Sequence, residues 1–569
     1  MTAVGGAALG RAAAVGGAQP ECAKPRRWKS GGGSGAARPR GGRARRVACA
    51  AKKRRGGFGT APEDASLLSA GGWRHAGGSL TATQEFARWA QDEGLPRQAV
   101  TLRTVPGQGR GLVAAREINK GELLLGVPRR LLLTPRRALE ELPEEHAEAL
   151  AELPEYSVLA GFLAAAATPG YIPETSFSKY IAALPPASGC VIEWPERETR
   201  ELLRGSPTLT AALERRAQAD FMRTELRDAF NAAGLRPPPD GALTWALSML
   251  LSRAVRLENM AVETAAGDAT KGGAGEGKGE LALVPWADFA NHSPTANASG
   301  AHIDWRSGVT SGAVTLPAAR DYREGDQVFG SYGDRTSAEL LLSYGFVPAD
   351  TPPCEAVDVA LALPADDEWR EAKAEALQAR GISPGLAVFP CRLTGAPPEM
   401  LAFALVAVAE PRDAAEAEAC VAAAFGEDGA GVVGKDWSSA AKSVLADVAS
   451  DMQAGYPGTL KQDERAAEEA GPALVDTMDE RERELAAARY CACAAVRARE
   501  RRVLARLEFV MSSGATEDYA DAKAAGQADT RNVPLTGADG ILGSIKLPKL
   551  PDGMPKLPDM PELPKLPFK

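Results

Sequence analysis

Residues 285–293 read PWADFANHS, and this stretch decides which fold we expect. By itself, the Asn291-His292 pair is compatible with a capped turn. The preceding Pro-Trp-Ala-Asp and two downstream tyrosines, Tyr332 and Tyr344, indicate a functional site instead. A metal-binding role for His292 is not expected, because the chain has only four histidines and none lies at ligand spacing from another.

Three further segments accompany this stretch. Residues 107–112 read GQGRGL, residues 330–333 read GSYG and residues 339–346 read ELLLSYGF. Glycines in the first segment allow the backbone to approach a ligand closely. Alone, Gly-x-Gly-x-Gly is typical of a β-turn. It does not open a helix after a strand, which argues against a dinucleotide-binding loop.

In this order, the four segments resemble the SET domain, and specifically the plant Rubisco large-subunit lysine methyltransferase family. The resemblance covers about residues 80–510. Three shorter matches support it, namely SKYIAALP at 178–185, LRGSP at 203–207 and SRA at 252–254. It implies an α+β fold, in which SET-type short sheets with a helical insertion are followed by an all-α C-terminal domain.

The resemblance also implies S-adenosylmethionine as cofactor. Gln108, Gly109 and Arg110 match the positions that contact its methionine end, and Asn291 with His292 would present backbone groups to its adenine. Arg253 would pair with its carboxylate, since a guanidinium is a planar fork that matches a carboxylate. A surface salt bridge is the alternative role for Arg253.

The acceptor side of the expected site is aromatic. By resemblance, Tyr332 is the catalytic tyrosine and Tyr344 lines the lysine channel, while Asp288 helps to attract the substrate ammonium. Arg253, Asp288, Tyr332 and Tyr344 are thus the expected substrate-binding residues. Alignment of a neutral amine with the carbon–sulfur bond speeds methyl transfer, and tyrosine hydroxyls can orient that amine. The alternatives are core aromatics for the tyrosines and a capping or turn role for Asp288.

The acceptor side also departs from the family pattern. Residues 301–304 read AHID where the family has a tyrosine, and Phe329 stands where the pea-type members have another. Both changes bear on substrate choice and on the number of methyl groups added. Arg256 matches a substrate-contacting arginine only if one residue is skipped. The eight cysteines form no Cys-x-x-Cys pair, so zinc-binding flanks of the nuclear histone type are not expected and no metal is predicted.

Length and charge agree with a large protein that acts on another protein. A chain of 569 residues exceeds a single core and indicates two or three folded units plus tails. The first 60 residues carry a net charge of +13, so the rest carries −21 of the total −8. An acidic body does not suit nucleic-acid binding, which needs clustered Lys and Arg. No apolar stretch reaches 18 residues, so we expect no membrane span.

Residues 1–60 have the composition of an organelle transit peptide, rich in Arg, Ala, Gly and Ser and nearly free of acid. Residues 47–50, VACA, resemble a chloroplast processing site. We therefore expect location in the chloroplast stroma. The alternative is a basic nuclear-localisation or nucleic-acid-binding arm centred on residues 52–55, KKRR. In that case the protein would be nuclear or cytoplasmic.

The chain divides into four predicted parts: a transit peptide and linker (1–60), a split SET domain (80–350) with a helical insertion at about 134–250, an all-α substrate-binding domain (355–512) and a tail (513–569). Residues 267–279 are low in complexity and indicate a flexible loop. Proline at every third position near the end of the tail favours a polyproline II helix. The tail is either solvated or a docking peptide that binds in a groove of a partner protein.

These observations predict a monomeric plastid protein-lysine N-methyltransferase that acts on a non-histone, stromal protein. The Rubisco large subunit and chloroplast fructose-bisphosphate aldolase are the candidate substrates by resemblance. One alternative is a protein-histidine methyltransferase of the same two-domain layout. Another is a non-catalytic binding protein on a SET scaffold, against which the intact Tyr332 and Asn291-His292 argue.

Overall fold

The computed structural model describes residues 73, 75–105, 108–257, 280–293, 309–310, 313–426, 435–468 and 480–513. Short strands dominate both ends of its N-terminal half, and helices lie between them. The strands of this half are β1 (Val100–Val105), β2 (Gly109–Ala114), β3 (Leu123–Pro128), β4 (Val255–Leu257), β5 (Glu280–Ala282), β6 (Asn291–His292), β7 (Val309–Thr310), β8 (Ala313–Pro317) and β9 (Gln327–Gly330).

One four-stranded sheet joins the segments that the sequence singled out. Its order is β1-β2-β9-β6, with β1, β2 and β9 antiparallel and β6 parallel to β9. The parallel pairing sets Asn291 opposite Phe329 and His292 opposite Gly330. The remaining strands form a three-stranded sheet, β3-β8-β7, and a two-stranded sheet, β4-β5. The sheet therefore places β2 and β6, which lie about 180 positions apart in the sequence, on either side of β9.

The helices of the N-terminal half pack against these sheets. They are α1 (Leu80–Asp92), α2 (Pro135–Glu141), α3 (Glu144–Leu150), α4 (Glu155–Ala167), α5 (Ser178–Ala183), α6 (Glu196–Leu202), α7 (Thr208–Ala232), α8 (Asp240–Arg253) and α9 (Ser337–Tyr344). Helices α2–α8 form the expected insertion between β3 and β4. Within it α4 and α8 are apolar on nearly every side and lie in the core, as helices without a polar face must.

Local capping sets the ends of two helices near the site. Ser79 caps α1, and its hydroxyl accepts from the Ala82 N–H at 3.0 Å. At α9 the Thr336 hydroxyl accepts from the Glu339 N–H, and the Glu339 carboxylate accepts from the Thr336 N–H. This reciprocal pair is a capping box. Helix α9 ends at Gly345, whose φ of 76° favours glycine.

The C-terminal half is mostly helical, with a hairpin of strands at its beginning. Its elements are β10 (Ala356–Leu361), α10 (Arg370–Gln378), β11 (Ala387–Arg392), α11 (Pro398–Val408), α12 (Ala414–Ala424), α13 (Lys435–Gly455), α14 (Leu460–Glu468) and α15 (Glu480–Ser513). The sequence analysis predicted the helices but not the antiparallel β10-β11 pair. Alternating burial of Val357, Val359 and Leu361 explains the strand, because period-two burial suits a half-covered sheet.

Helix α15 connects two hydrophobic cores. Cys493 and Val496 pack in the core of the N-terminal half, whereas Val503, Leu504 and Leu507 pack in the core of the C-terminal half. The two halves therefore share one helix. Its 34 residues agree with the prediction of a helical domain at 355–512.

Several predictions concern segments beyond the described residues. The transit peptide (1–60), the low-complexity loop (267–279), the AHID stretch (301–304) and the tail (514–569) all lie there. Within the described ranges, no helix is both long enough and apolar enough to cross a membrane.

Candidate active site

A cavity of about 800 Å³ lies where the four-stranded sheet, α8 and α9 meet. Clefts of this size are typical of sites for small molecules and cofactors. The structure brings together around it all nine residues that the sequence singled out: Gln108, Gly109, Arg110, Arg253, Asp288, Asn291, His292, Tyr332 and Tyr344. Their roles remain predictions, but they lie together in one place.

A buried carboxylate organises the polar half of the cavity. The Asp288 side chain is only 1% exposed, and its Oδ2 accepts a hydrogen bond from the Tyr180 hydroxyl at 2.7 Å. The Arg253 Nη1 lies 4.0 Å from this carboxylate and donates to the Asp288 backbone carbonyl. Burial raises the pKa of Asp288 to about 6, against the lowering effect of Arg253. The carboxylate nearest to Arg253 in this pair is thus buried and not at the surface, whereas pairing of Arg253 with the cofactor carboxylate remains a prediction.

Arg110 adds a second cation to this half. Its Nη1 donates to the Thr83 hydroxyl at 2.9 Å, and its guanidinium lies 5.1 Å from the centre of the Phe289 ring. The Arg253 guanidinium lies 5.4 Å from the same ring. Burial and the repulsion of Arg253 lower the pKa of Arg110 to about 10, so it stays charged at neutral pH. Two cations beside one carboxylate leave an excess of positive charge, which suits an anionic ligand group.

The polar half fits the carboxylate end of S-adenosylmethionine. Within the described part of the chain, the buried Nε of Arg253 and Oδ1 of Asp288 have no hydrogen-bond partner. Buried polar atoms without a partner are costly, so they point to a ligand or ordered water. The backbone also leaves room: Gly109 has φ of 71°, and a Cβ on Gly111 would lie 2.7 Å from the Asn291 Nδ2. A Cβ at position 111 would therefore displace the Asn291 side chain.

The backbone before Asp288 is strained. Trp286 has φ of 80° and is the one non-glycine residue with positive φ among those the structure describes. A bulky residue in this region costs about 1–3 kcal/mol and is found mainly where function requires it. Its ring packs against Phe86, with centroids 5.6 Å apart, and a short 3₁₀ turn over Ala287–Phe289 follows. This turn places Asp288 under the cavity.

Asn291 and His292 lie on the edge strand β6. The Asn291 Nδ2 donates to the Gln108 carbonyl at 3.5 Å, and the His292 Nδ1 accepts from the Tyr332 N–H at 3.1 Å. Burial lowers the pKa of His292 to about 4, so the ring is neutral at physiological pH and Nδ1 is its acceptor nitrogen. His292 thereby connects strand β6 to Tyr332, the candidate catalytic tyrosine.

The other half of the cavity is aromatic. The rings of His292, Tyr332 and Tyr344 are stacked, with centroids 5.0 Å apart in the first pair and 4.5 Å in the second. Phe346 lies edge-on to Tyr332 at 6.5 Å. The Tyr332 hydroxyl donates to the Ala290 carbonyl at 2.8 Å, which leaves its lone pairs available to accept. Burial raises the pKa of both Tyr332 and Tyr344, so both hydroxyls keep their protons.

Sequence reasoning missed several contributors. Tyr180 lies in a quoted segment, but no local pattern links it to Asp288, 108 residues away. Pro348, Ala349 and Asp350 line the aromatic half and carry no motif. Conversely, Arg256 does not line the cavity and pairs with Glu155 at 3.0 Å. No group of three or more potential metal ligands occurs among the described residues.

The setting of Asp288 bears on its predicted role. Its carboxylate accepts from Tyr180 and lies 4.0 Å from the Arg253 guanidinium, so these contacts favour support of the cationic side. That it attracts the substrate ammonium remains a prediction.

Comparison with known proteins agrees with this arrangement. The model of the SET domain matches residues 109–333, and that of the Rubisco LSMT substrate-binding domain matches residues 364–504. These ranges fall inside the predicted domains 80–350 and 355–512, whose bounds remain predictions.

The names of three curated relatives differ in the protein that is methylated. The chloroplastic Rubisco large subunit N-methyltransferase of Nicotiana tabacum is 27% identical over 406 residues, which are 68% of this chain and 75% of that protein. The chloroplastic fructose-bisphosphate aldolase-lysine N-methyltransferase of Arabidopsis thaliana is 26% identical over 50% of this chain and 56% of its own length. The actin-histidine N-methyltransferase of Canis lupus familiaris is 25% identical over 56% and 52%. The chain thus spans about half the length of the last two.

Solved structures confirm the α+β fold. Rubisco LSMT bound to AdoMet superposes with a TM-score of 0.57 at 20% identity, over 79% of this chain and 97% of that one. The SET domain of LSMT bound to lysine and AdoHcy gives the same values. The family resemblance inferred from the four segments is confirmed by both domain matches and by these neighbours. The chain therefore carries a SET domain at residues 109–333, followed at residues 364–504 by a domain that matches the Rubisco LSMT substrate-binding model.

Proposed function

We propose that this chain is an S-adenosylmethionine-dependent methyltransferase that methylates a lysine side chain of a non-histone protein. The observation that carries the proposal is the division of a single cavity into a cationic half, with Arg110 and Arg253, and an aromatic half, with Tyr332 and Tyr344. A methyl donor with a carboxylate suits the first half. A neutral amine, delivered beside tyrosine hydroxyls and shielded from water, suits the second.

Residues of the cationic half would hold the cofactor. Arg253 and Arg110 supply the charge that a carboxylate needs, and Asp288 keeps Arg253 oriented through the contacts described above. Gly109 and Gly111 allow the loop to approach the ligand closely. When bound, S-adenosylmethionine supplies an electrophilic methyl group. Asn291 and His292 present the edge of β6 to the remainder of the cofactor.

Residues of the aromatic half would orient the acceptor. Because burial raises the pKa of Tyr332 and Tyr344, neither serves as a general base at neutral pH. The Tyr332 hydroxyl donates its proton to the Ala290 carbonyl, so its oxygen can accept from an amine N–H and leave the amine lone pair free for attack. The tyrosine rings exclude water. The lysine ammonium must therefore lose its proton to solvent before it enters. A neutral amine held beside Tyr332 and Tyr344 would be the nucleophile for the methyl group that S-adenosylmethionine would supply.

A plastid protein is the proposed acceptor. The Rubisco large subunit and fructose-bisphosphate aldolase are candidates because chloroplastic relatives that act on them are similar to this chain. The basic, acid-poor composition of residues 1–60 supports delivery to the chloroplast stroma. Fusion of these residues to a fluorescent reporter tests this, since nuclear fluorescence would contradict plastid location.

Histidine is the second candidate acceptor. Relatives named as actin-histidine N-methyltransferases match at 25% identity, only slightly below the plant relatives. The absence of a match to the family's tyrosine at 301–304, together with Phe329, changes the acceptor side and keeps this alternative open. Both candidates use the same cofactor half, so only the methylated product separates them.

The test is product analysis. The purified protein is incubated with isotopically labelled S-adenosylmethionine and, separately, with Rubisco, with plastid aldolase and with actin, and labelled peptides are sequenced by mass spectrometry. Methyl-lysine in either plastid protein supports the proposal. Methyl-histidine in actin supports the second candidate. Cofactor binding in calorimetry without transfer to any acceptor, a stromal extract included, would leave a non-catalytic binding protein.

A further inference from the structure

Apart from His292 and Tyr332, the aromatic half of the cavity is formed by one continuous stretch of chain. Residues 337–350, here called the acceptor segment, comprise α9 and the loop that follows it. The segment supplies Tyr344, Phe346 and the lining residues 347–350. Its position therefore sets the shape of the pocket that would receive a side chain.

A single guanidinium holds the acceptor segment at both ends. Arg499, on α15, is less than 2% exposed and is among the largest fully buried side chains of the described residues. Its Nη1 donates to the Ser337 hydroxyl, at the first turn of α9. Its Nη2 donates to the carbonyls of Pro348 and Ala349 at 2.7 and 3.1 Å, beyond the end of α9. One planar fork thus spans the whole segment that carries Tyr344.

A buried carboxylate completes this contact. Glu355 is 5% exposed, and it accepts hydrogen bonds from the Ser337 N–H and hydroxyl. Its Oε2 lies 3.8 Å from the Arg499 Nη1. Paired charges of this kind, satisfied by further hydrogen bonds, restrict geometry strongly even where they add little net stability. Glu355 and Arg499 together hold the N-terminal end of α9 in its position.

The same helix belongs to both cores. Residues 493 and 496 of α15 pack in the N-terminal core, and residues 503, 504 and 507 pack in the C-terminal core. Arg499 lies between these two groups. The position of the acceptor segment is therefore coupled to the packing of the substrate-binding domain.

We propose that Arg499 is a positioning residue through which the C-terminal domain sets the acceptor pocket. It touches neither cofactor nor acceptor in this proposal, and acts by fixing the segment that carries Tyr344 and Phe346. The inference rests on the proposed function for its catalytic consequence. Its structural part, that Arg499 orders residues 337–350, stands independently.

Arg501 offers a matched control. It lies on the same helix, is similarly buried at 7% exposed, and donates to Asp463 and to the Gly458 carbonyl, each at 2.8 Å. These partners belong to the C-terminal half, and none lies in the acceptor segment. Arg501→Gln thus removes a buried guanidinium from α15 without touching the pocket wall.

The experiment compares wild type, Arg499→Gln, Arg499→Lys and Arg501→Gln. For each protein we measure four properties: hydrogen exchange of residues 337–350, the dissociation constant of S-adenosylmethionine, the Tm, and kcat and KM with the acceptor protein that the product analysis identifies. In Arg499→Gln we expect faster exchange in the acceptor segment and a fall in kcat of about tenfold to a hundredfold, since a displacement of 1 Å can have that effect. Cofactor affinity should remain that of wild type. Lysine lacks the planar fork, so Arg499→Lys should not restore kcat.

The outcomes separate this inference from the proposed function. If Arg501→Gln lowers Tm as much as Arg499→Gln but keeps wild-type kcat and exchange in residues 337–350, the positioning role is supported. Unchanged exchange in the acceptor segment of Arg499→Gln would overturn it, as would a loss of kcat that simply follows Tm in both variants. If wild type transfers no methyl group, the proposed function fails, and hydrogen exchange still decides the role of Arg499.

Discussion

The two halves of the cavity are built differently. The cationic half is held mainly by contacts within the SET domain, such as Asp288 with Tyr180 and Arg253. The aromatic half depends on a guanidinium from α15, whose helix belongs partly to the C-terminal core. Cofactor binding is therefore a property of the SET domain in this account, whereas acceptor geometry depends on both domains. Changes in the two halves should separate affinity for the cofactor from the rate of transfer.

The largest effect is expected for Tyr332→Phe. Loss of one hydrogen-bonding group directed at the reacting atoms typically lowers kcat by about 10² to 10³. Cofactor affinity should change little, because the ring and its stacking on His292 remain. Rates under saturating cofactor, with calorimetry for binding, measure both quantities. Tyr322→Phe is the control, since Tyr322 is buried but does not line the cavity.

Arg253→Gln should weaken cofactor binding. Removing one partner of a buried charge pair costs about 2 kcal/mol or more, which raises the dissociation constant about 30-fold. The acceptor KM should stay near that of wild type. Arg256→Gln is the matched control, because Arg256 is three positions away and forms an exposed pair with Glu155. Equal weakening by both variants would show that Arg253 has no particular role in the cavity.

The pH dependence should identify the acceptor. His292, with a pKa of about 4, and Asp288, with one of about 6, are already deprotonated above pH 7, and both tyrosines keep their protons because burial raises their pKa. A lysine acceptor, with a reference pKa of about 10.4, must lose a proton, so kcat/KM should rise about tenfold per pH unit from pH 7 to 9. A histidine acceptor would give a plateau instead. A fall in kcat/KM as the pH rises to 9 would contradict the prediction that both tyrosines keep their protons in this range.

The smallest effect is expected for Gly111→Ala. The added Cβ would lie 2.7 Å from the Asn291 Nδ2 and 3.1 Å from the Gln327 Nε2, so both side chains must shift. Because these are the ends of flexible side chains, we expect a loss of about 1 kcal/mol in stability and a several-fold weaker cofactor affinity. Gly126→Ala is the control, since its nearest neighbour is at 3.5 Å. Thermal melts and calorimetry compare the two.

Sequence reasoning found the cofactor half better than the acceptor half. Gly109, Arg110, Asn291 and His292 belong to short motifs whose residue types reflect local backbone requirements, so one sequence reveals them. Tyr180 acts through a contact across 108 residues of sequence, and Arg499 acts through contacts across 150 to 162 residues. Such contacts leave no local pattern. The role of Arg499 emerges only when α15 is seen to join both cores.

The fold was predictable to a similar degree. Helix α15 and the insertion helices follow from long periodic or apolar runs. The β10-β11 pair was missed although Val357, Val359 and Leu361 alternate, because the surrounding helical composition outweighed one short strand.

A single-turnover assay tests the central claim most directly. Wild type and Tyr332→Phe, each loaded with labelled S-adenosylmethionine, are mixed with stromal protein, and the labelled residue is identified by mass spectrometry. The account predicts labelled lysine from wild type, about a hundredfold slower labelling by Tyr332→Phe, and equal cofactor binding by both. Wild type that binds cofactor but labels no lysine, or a Tyr332→Phe variant that labels as fast as wild type, would contradict it.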